Sequence, residues 1–263
     1  MVFGPDVDVT GDVPYLGPDR EECLDLYRPG TLFVSAPAVI VIHGGGFHGG
    51  DKADEREAGI ARALAEKGYV CASINYALST RENCWSAWPQ NLRDCRSAVR
   101  YLRANADLYG VDPDSIGVIG ASAGGYLALM LAHTAPRDGL HEPGPEADLS
   151  ADVQAVVDMY GPTLFNGANS PVGSVPDEVD PETLSPLSYL ASDGPPTLIL
   201  HGTEDEVVPP EHSRQLADAA RAAGLEHNLV FVDGAPHSFS LQPPQLELQS
   251  IVINFFNKHL RAD

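Results

Sequence analysis

A serine flanked by small residues lies in the run Gly120-Ala121-Ser122-Ala123-Gly124, which fits the pattern GxSxG. The run lies between a predicted strand and a predicted helix, a setting typical of a tight turn that lifts a serine hydroxyl above a sheet. Glycine at both ends permits the positive φ angles and the close backbone approach that such a turn needs. The pattern predicts a nucleophilic serine at Ser122, and a plain glycine-rich turn is the alternative interpretation.

A serine hydroxyl is a poor nucleophile until a neighbouring base takes its proton. In chains that carry this kind of turn, an acid and then a histidine follow the serine. Asp205 lies just past the end of a predicted strand, where ligand-facing residues of open α/β sheets collect, with Glu204 and Glu206 as its competitors. His237 also follows a predicted strand. The order Ser122, Asp205, His237 therefore predicts a nucleophile, an orienting acid and a general base.

Three consecutive glycines, 44–46, follow the predicted strand 38–42 after one residue, His43. Successive glycines can turn their amides into a common pocket, and the negative charge of a tetrahedral intermediate needs such N–H donors. The amide of Ala123, next to the serine, is the other candidate donor. A phosphate loop is the rival interpretation of the glycines, and the pattern GxxxxGK[ST] that would support it does not occur. His43, just before them, is expected to organise this loop through hydrogen bonds.

Strands and helices alternate along the chain, as expected for an α/β protein with a mostly parallel sheet and helices on both faces. Apolar runs rich in β-branched residues predict buried strands, and apolar residues three or four positions apart predict helices. The predicted strands cover 38–42, 69–75, 115–119, 153–159, 196–200 and 228–232, and the predicted helices cover 54–67, 91–108, 123–133, 211–223 and a last stretch that includes 248–256. These elements place the three candidate catalytic residues at the carboxyl ends of strands.

Two irregular stretches, 135–150 and 162–195, interrupt this alternation. A loop as long as the second is uncommon in a compact domain and is often functional, so a small lid or binding wall is expected there. No repeat or break in composition demands a second domain, and the sequence predicts one domain over 1–263. The segment before the first predicted core strand is shorter than a helical cap usually needs, so no large cap domain is expected.

The chain has 263 residues, of which 16 are Lys or Arg and 37 are Asp or Glu, and a formal net charge of −21 at pH 7. Its hydrophobic content of 43% is enough to bury a large core. The negative charge argues against nucleic acid and anionic membranes as partners, because each of them is a polyanion. No run of about 18 apolar residues could span a membrane. The charge also favours a neutral substrate over a polyanionic one.

The four cysteines form no CxxC pair and are too sparse for a disulfide scaffold. A reduced, cytoplasmic protein is therefore expected, and a protein with one disulfide is the alternative. The first twelve residues, MVFGPDVDVTGD, have no basic start and no apolar stretch, so no signal peptide is predicted. Removal of a signal peptide would leave the same sequence, so the sequence does not exclude that the protein is exported. The histidines are scattered and no HExxH occurs, so no metal site and no cofactor are expected.

The combination of HGGGF, GASAGG, HGTEDEVVP and GAPHSF resembles the α/β-hydrolase superfamily, in particular its hormone-sensitive-lipase-like and carbohydrate-ester branches. The stretches 109–120 and 153–163 look most like bacterial bifunctional feruloyl and acetyl xylan esterases. The resemblance extends from about Leu24 to the C-terminal helix, and it implies the α/β-hydrolase fold. Two places depart from the pattern of these relatives. Leu164 stands where they often carry an acidic residue, and the stretch 83–88 is particular to this sequence. Both bear on the substrate rather than on the chemistry.

The resemblance also implies roles for individual residues. The nucleophile, acid and base of the family map onto Ser122, Asp205 and His237, and its oxyanion donors map onto Gly45, Gly46 and Ala123. Without a large cap, the site is expected to be open or lightly lidded. Six aromatic residues are candidates to line it and contact a substrate, namely Phe47, Trp88, Tyr160, Phe165, Tyr189 and Phe239.

The leading prediction is a serine carboxylesterase that hydrolyses short-chain acyl esters through an acyl-enzyme, with acetyl or feruloyl esters of carbohydrates as preferred substrates. The expected partner is a small-molecule or carbohydrate ester, and the chain is expected to be a monomer or a homodimer. An arylformamidase or a small peptidase-like hydrolase with the same three residues is the alternative within the same class. A catalytically silent ligand receptor on the same fold is the alternative outside it, and such receptors typically lose the nucleophile or the base.

Overall fold

A single sheet of eight strands forms the centre of the computed structural model, which describes residues 6–30, 35–134, 144–165, 175 and 179–261. The strands, in chain order, are β1 (Val7–Pro14), β2 (Cys23–Pro29), β3 (Ala36–Ile42), β4 (Val70–Ile74), β5 (Val111–Ala121), β6 (Ala155–Met159), β7 (Thr197–Gly202) and β8 (His227–Val232). Their order across the sheet is β1-β2-β4-β3-β5-β6-β7-β8. Strands β3 to β8 run parallel to one another, and β2 pairs antiparallel with β1 and β4.

Helices follow most of the parallel strands. They are α1 (Glu55–Ala65), α2 (Gln90–Ala104), α3 (Ala106–Tyr109), α4 (Ala123–His133), α5 (Pro181–Leu184), α6 (Glu211–Ala223) and α7 (Gln249–Leu260), with one 3₁₀ helix at Pro186–Tyr189. Because the parallel strands share one direction, their carboxyl ends lie along one edge of the sheet. The turns that follow β3, β5, β7 and β8 therefore meet at that edge, which carries the site described below.

The core has two layers, one on each face of the sheet. Alternate residues of β3 contribute to opposite layers, as the two-residue period of a strand requires: Ile40 and Ile42 to one, Val39 and Val41 to the other. The first layer receives apolar side chains from α2, α4 and α6, and the second receives them from α1 and α7. Both faces of the central strands are thus covered, which explains why β3, β4 and β6 are short runs of buried residues.

The predicted fold class is confirmed: the chain has the α/β-hydrolase fold, with a mostly parallel sheet and helices on both faces. The described residues contain no large cap domain. One predicted helix, 91–108, is divided, because Asn105 leaves the helical conformation (φ −107°, ψ 22°) and its side-chain amide donates to the Tyr101 carbonyl. Strand β5 begins earlier than predicted and β6 begins later.

Strands β1 and β2 form an antiparallel edge that the sequence analysis did not predict. Most of β1 is exposed, so its sequence lacks the apolar pattern of a buried strand. The edge is tied to the loop after β3 by Lys52, which is buried and whose Nζ lies 2.8 Å from Asp12 Oδ1 and 3.0 Å from Asp25 Oδ1. This paired lysine holds the start of the chain against the sheet.

The stretch predicted to be a lid or binding loop, 162–195, is described only in part, since residues 166–174 and 176–178 lie outside the described ranges. Its described part contains α5 and the 3₁₀ helix, and the Ser185 hydroxyl there donates to the Thr163 carbonyl at 2.8 Å. The lid therefore stays a prediction. None of the helices in the described ranges has the length and apolar run needed to cross a membrane. All four cysteines are free.

Candidate active site

Ser122 lies in the turn between β5 and α4, with φ 54° and ψ −121°. Residues with side chains rarely adopt such a φ, and it persists only where the surroundings fix it. The Ser122 amide donates to the Met159 carbonyl at 2.8 Å, and the Tyr126 amide donates to the Ser122 carbonyl at 3.1 Å. A Cβ on Gly124 would lie 2.2 Å from the Ile42 carbonyl oxygen, so glycine is required for α4 to approach β3 this closely.

The structure brings Ser122, His237 and Asp205 together. His237 Nε2 lies 3.0 Å from Ser122 Oγ, and His237 Nδ1 lies 2.6 Å from Asp205 Oδ2. Asp205 is buried, whereas its sequence competitors Glu204 and Glu206 are exposed. The hydrogen-bond chain therefore runs from a buried carboxylate through an imidazole to the serine hydroxyl.

Four donors surround the Asp205 carboxylate. Its Oδ1 accepts from the amides of Val207 and Val208 at 2.9 and 2.8 Å, and its Oδ2 lies 3.2 Å from His201 Nε2 as well as against His237. Burial alone would raise the pKa of Asp205, but the hydrogen bonds from His201, His237 and the Val208 amide outweigh it and hold that pKa well below its ordinary value. The ionised acid can only accept, so the hydrogen lies on His237 Nδ1 and leaves Nε2 free to accept from Ser122.

His201 is a buried part of this network that the sequence analysis did not assign. Its Nε2 lies 2.8 Å from the Val208 carbonyl oxygen, and its Nδ1 lies 2.6 Å from Ser213 Oγ. Because a carbonyl only accepts, Nε2 carries the hydrogen, and the same N–H also faces Asp205. A signal was present, since this histidine lies at the end of β7, one residue before its last, and starts the HGTEDEVVP run four positions before the acid. His201 thus helps to fix the position of the carboxylate.

The glycine run after β3 forms a tight loop beside the serine. Gly45 and Gly46 have φ angles of 114° and 62°, and a Cβ on Gly45 would lie 2.1 Å from the Gly49 carbonyl oxygen. His43 Nδ1 lies 2.7 Å from the Gly44 carbonyl oxygen, which matches the loop-organising role expected for it. Burial lowers the pKa of His43, so its imidazole stays neutral.

A cavity of about 230 Å³ opens beside the serine. The three candidate oxyanion donors line it together with the serine and histidine and with five further residues, so that its wall consists of Gly45, Gly46, Arg56, Ser122, Ala123, Pro162, Val207, Val208, His237 and Ser238. The described ranges hold no group of three His, Cys, Asp or Glu side chains arranged to bind a metal ion. The cavity is therefore small, and the serine, the histidine and the three candidate donor residues lie together on its wall.

The six aromatic residues predicted to contact substrate lie elsewhere, and none of them lines this cavity. Four are buried in the core at exposures of 1, 0, 4 and 7%, namely Phe47, Tyr160, Phe165 and Phe239. Trp88 packs edge-on against Trp85, and the Tyr189 hydroxyl donates to the Thr183 carbonyl. For the four buried rings the prediction is wrong, and the physical reason is that large rings bury the most apolar area when they lie in the core. Trp88 and Tyr189 are half-buried, and their contact with a substrate stays a prediction.

Tyr160 is one of these buried rings, and it supports the proposed base. Its ring lies edge-on to the His237 imidazole, with centroids 4.9 Å apart, and its hydroxyl donates to the Phe239 carbonyl at 2.6 Å. The ring thereby limits the orientations that the imidazole can take. Tyr160 contacts the proposed base, and it does so from outside the cavity.

Arg56 is a second residue of the cavity wall that the sequence analysis did not single out, because it lies in a helix start dominated by acids. Its Nη2 and the Ser122 Cβ both lie within 3.3 Å of the point that a Gly44 Cβ would occupy. Its guanidinium donates twice to Glu57 Oε1, at 2.9 and 2.6 Å. Arg56 thus places a cation on the cavity wall, and that cation is paired with a buried carboxylate.

Asp158 is a fully buried acid in β6, behind the serine turn. Its Oδ1 accepts from the Gly161 amide at 2.9 Å, while its Oδ2 has no hydrogen-bond partner among the described residues. Burial raises the pKa of Asp158 to about 7 from an ordinary value of 3.8, although His201 and the Gly161 amide oppose the rise. The folded protein therefore holds a proton here that the unfolded chain releases at lower pH.

This acid makes stability depend on pH. Between about pH 4 and pH 7 the folded state binds more protons at Asp158 than the unfolded state does, so the free energy of unfolding falls as pH rises through that window, by about 1.4 kcal/mol per unit of pKa shift. We expect Asp158→Asn, which is neutral at every pH, to remove this decline. Urea unfolding at pH 4.5 and 8 measures it, with exposed Asp148→Asn as control. A difference between Asp158→Asn and wild type that is the same at both pH values would contradict the prediction.

The sheet order and the site together define the class of the protein: it is an α/β-hydrolase-fold protein with a serine, a histidine and an aspartate in hydrogen-bond sequence at the carboxyl edge. Comparison with known proteins narrows this further. The chain belongs to the BD-FAE family, whose sequence pattern matches residues 24–220. Esterase LipQ of Mycobacterium tuberculosis is 34% identical to it, over 88% of this chain and 58% of LipQ. The chain spans between 51% and 59% of the length of three mycobacterial relatives.

Two solved structures are similar over nearly the whole chain. A truncated form of a carbohydrate esterase from gut microbiota superposes with a TM-score of 0.83 at 25% identity, and the match covers 98% of each chain. A bifunctional GH43-CE protein of Bacteroides eggerthii superposes with a TM-score of 0.81 at 28% identity, over 95% of this chain and 35% of the other. Both have the fold described here.

Proposed function

We propose that this chain is a serine carboxylesterase that hydrolyses short-chain acyl esters, with acetyl or feruloyl esters of carbohydrates as its substrate class. The observation that carries the proposal is the hydrogen-bond chain from Ser122 Oγ through His237 to Asp205, whose serine end lies at a cavity lined by Gly45, Gly46 and Ala123. The relatives named as esterases, and the similar structure named as a carbohydrate esterase, support the choice of substrate.

In the acylation step, His237 Nε2 takes the Ser122 proton while Oγ forms a bond to the ester carbonyl carbon. The carbonyl electron pair moves onto oxygen and gives a tetrahedral intermediate. When that pair re-forms the carbonyl, the bond to the alcohol oxygen breaks, and the imidazolium gives its proton to the leaving alcohol. The product is an acyl group on Ser122 and a neutral His237.

The charge of the intermediate is stabilised by N–H donors already in place. We assign this role to the amides of Gly45, Gly46 and Ala123, which line the cavity with Ser122. Ala123 is the first residue of α4, so the positive end of the helix dipole also faces the site. Removing one such donor typically costs about 10²- to 10³-fold in kcat.

Deacylation repeats these steps with water in place of the serine. His237 Nε2 takes a proton from the water, whose oxygen bonds to the acyl carbon, and the imidazolium then returns a proton to Ser122 Oγ as the acid leaves. Asp205 stays ionised throughout, since its donors hold its pKa low. It keeps the histidine in the required tautomer and stabilises the imidazolium.

The size of the cavity predicts the preferred acyl group. At about 230 Å³ it is smaller than the roughly 300–1,000 Å³ of ordinary ligand pockets, and Pro162, Val207 and Val208 form the apolar part of its lining. We therefore expect kcat/KM for p-nitrophenyl acetate to exceed that for the octanoate by at least about tenfold. Val207→Ala should flatten this dependence, and Val9→Ala on exposed β1 should leave it as in wild type. A preference for octanoate in the wild-type enzyme would contradict the prediction.

The proposal as a whole is tested by hydrolysis and by labelling. The substrates are p-nitrophenyl acetate, acetylated xylan and methyl ferulate, and the label is a fluorophosphonate that reacts with activated serines. We expect turnover of at least one of these esters and labelling that is lost in Ser122→Ala. An intact protein that hydrolyses none of them and takes no label would overturn the proposed function.

A further inference from the structure

A wide groove adjoins the catalytic cavity. It has a volume of about 710 Å³ and lies between one face of α1, the segment 238–242 and Gln249 at the start of α7. Arg56 and Ser238 line both the groove and the cavity, so the two spaces share a wall at these residues. The groove therefore begins next to the space in which Ser122 would hold an ester.

The lining of the groove is part polar and part apolar, and its polar side chains are suited to hydroxyl groups. Ser240, Gln242 and Gln249 supply a hydroxyl and two amides, each of which can both donate and accept. The Gln242 side-chain amide donates to Gln249 Oε1 at 2.7 Å, an arrangement that holds the pair in one orientation. Ile60 and Leu241, both buried, provide the apolar part of the lining.

The charges of the groove cancel. Its lining includes two acids, Glu55 and Glu66, and two bases, Arg56 and Arg62. Balanced charge is unusual on this chain, whose formal net charge is −21. A polyanion would meet repulsion from the protein as a whole.

We propose that this groove binds the alcohol part of the substrate as a neutral carbohydrate chain. The esterified sugar lies at Arg56 and Ser238, next to the cavity that takes the acyl group, and the following sugars extend along α1 toward Gln242 and Gln249. This inference rests on the proposed esterase function and adds to it a binding site for several sugar units. The small cavity then holds the acyl group of the substrate, and the wide groove holds its glycan.

The test is the ratio of two specificity constants. One is kcat/KM for acetylated xylotetraose, and the other is kcat/KM for acetylated xylose, so any general loss of activity cancels. We expect the ratio to exceed one in the wild-type enzyme and to fall about tenfold in the double variant Gln242→Ala/Gln249→Ala, since each side chain contributes hydrogen bonds worth a few-fold. Gln215→Ala on α6, remote from the groove, should keep the wild-type ratio.

The outcomes separate this inference from the proposed function. A wild-type ratio near one, a double variant with an unchanged ratio, or a preference for acetylated oligogalacturonate would overturn the groove assignment while ester hydrolysis itself still stood. Absence of all ester hydrolysis would overturn the proposed function instead. In that case calorimetric titration with unacetylated xylotetraose decides the groove: binding that the double variant loses supports it, and no binding to wild type overturns it.

Discussion

Replacing Ser122 with alanine is expected to remove ester hydrolysis, with a fall in kcat on the order of 10⁶-fold. The variant has no hydroxyl to accept the acyl group, and His237 has no proton to take. Alanine retains the Cβ of serine, so the left-handed backbone at this position carries the same strain as before. The melting temperature should therefore stay close to that of the wild type. Steady-state turnover of p-nitrophenyl acetate and differential scanning calorimetry measure the two quantities.

The matched control for this variant is Ser250→Ala, which removes an exposed hydroxyl at the start of α7. It should keep both the turnover and the fluorophosphonate label. A folded Ser122→Ala protein that hydrolyses the ester at more than about a tenth of the wild-type rate would contradict the acyl-enzyme mechanism. Variants that lack the nucleophile of a catalytic triad lose far more activity than that.

Asp205→Asn is expected to cost about 10⁴-fold in kcat while the protein still folds. The wild-type carboxylate accepts hydrogen bonds from four N–H groups, two at each oxygen. All four can be made only when both terminal atoms of the side chain are acceptors. If the asparagine oxygen faces the Val207 and Val208 amides, its NH₂ group faces His237 Nδ1. That nitrogen must then accept, so the hydrogen moves to Nε2 and the imidazole can no longer take the Ser122 proton.

This second variant is checked by kcat and by urea unfolding on the same preparation. The control is Asp233→Asn, an exposed acid in the turn after β8, which should behave as wild type. Retention of more than about one-hundredth of wild-type kcat in Asp205→Asn would mean that the tautomer of His237 does not depend on this acid, since the expected loss is about 10⁴-fold. The role of the four-donor carboxylate would then have to be reassigned.

The order of the chemistry-bearing residues could be read from the sequence because the fold itself sets it. Parallel strands bring their carboxyl ends to one edge, so Ser122 after β5, Asp205 after β7 and His237 after β8 meet although they are far apart in sequence. The glycine run was likewise identifiable, since three consecutive glycines after a buried strand have few other uses. Strand position and residue type were enough for these predictions.

Other features depend on contacts that no local pattern encodes. Whether an aromatic ring faces a cavity or the core is decided by side chains distant in sequence, and Phe47 and Tyr160 are buried for that reason. Arg56 reaches the cavity from a helix whose start shows only an acidic composition, and His201 acts through the far side of Asp205. The exposed strand β1 pairs with β2 without an apolar signature of its own.

The buried lysine at the antiparallel edge has a practical consequence for attaching the protein to a surface. The sequence has three lysines, and Lys52 is shielded between Asp12 and Asp25, which raise the pKa of its amine against the opposing effect of burial. The other two, Lys67 and Lys258, are exposed and lie just before β4 and against the residue before β8, at the amino ends of the parallel strands. Coupling through lysine side chains would therefore hold the molecule by the edge opposite the cavity, with its catalytic opening turned toward solution.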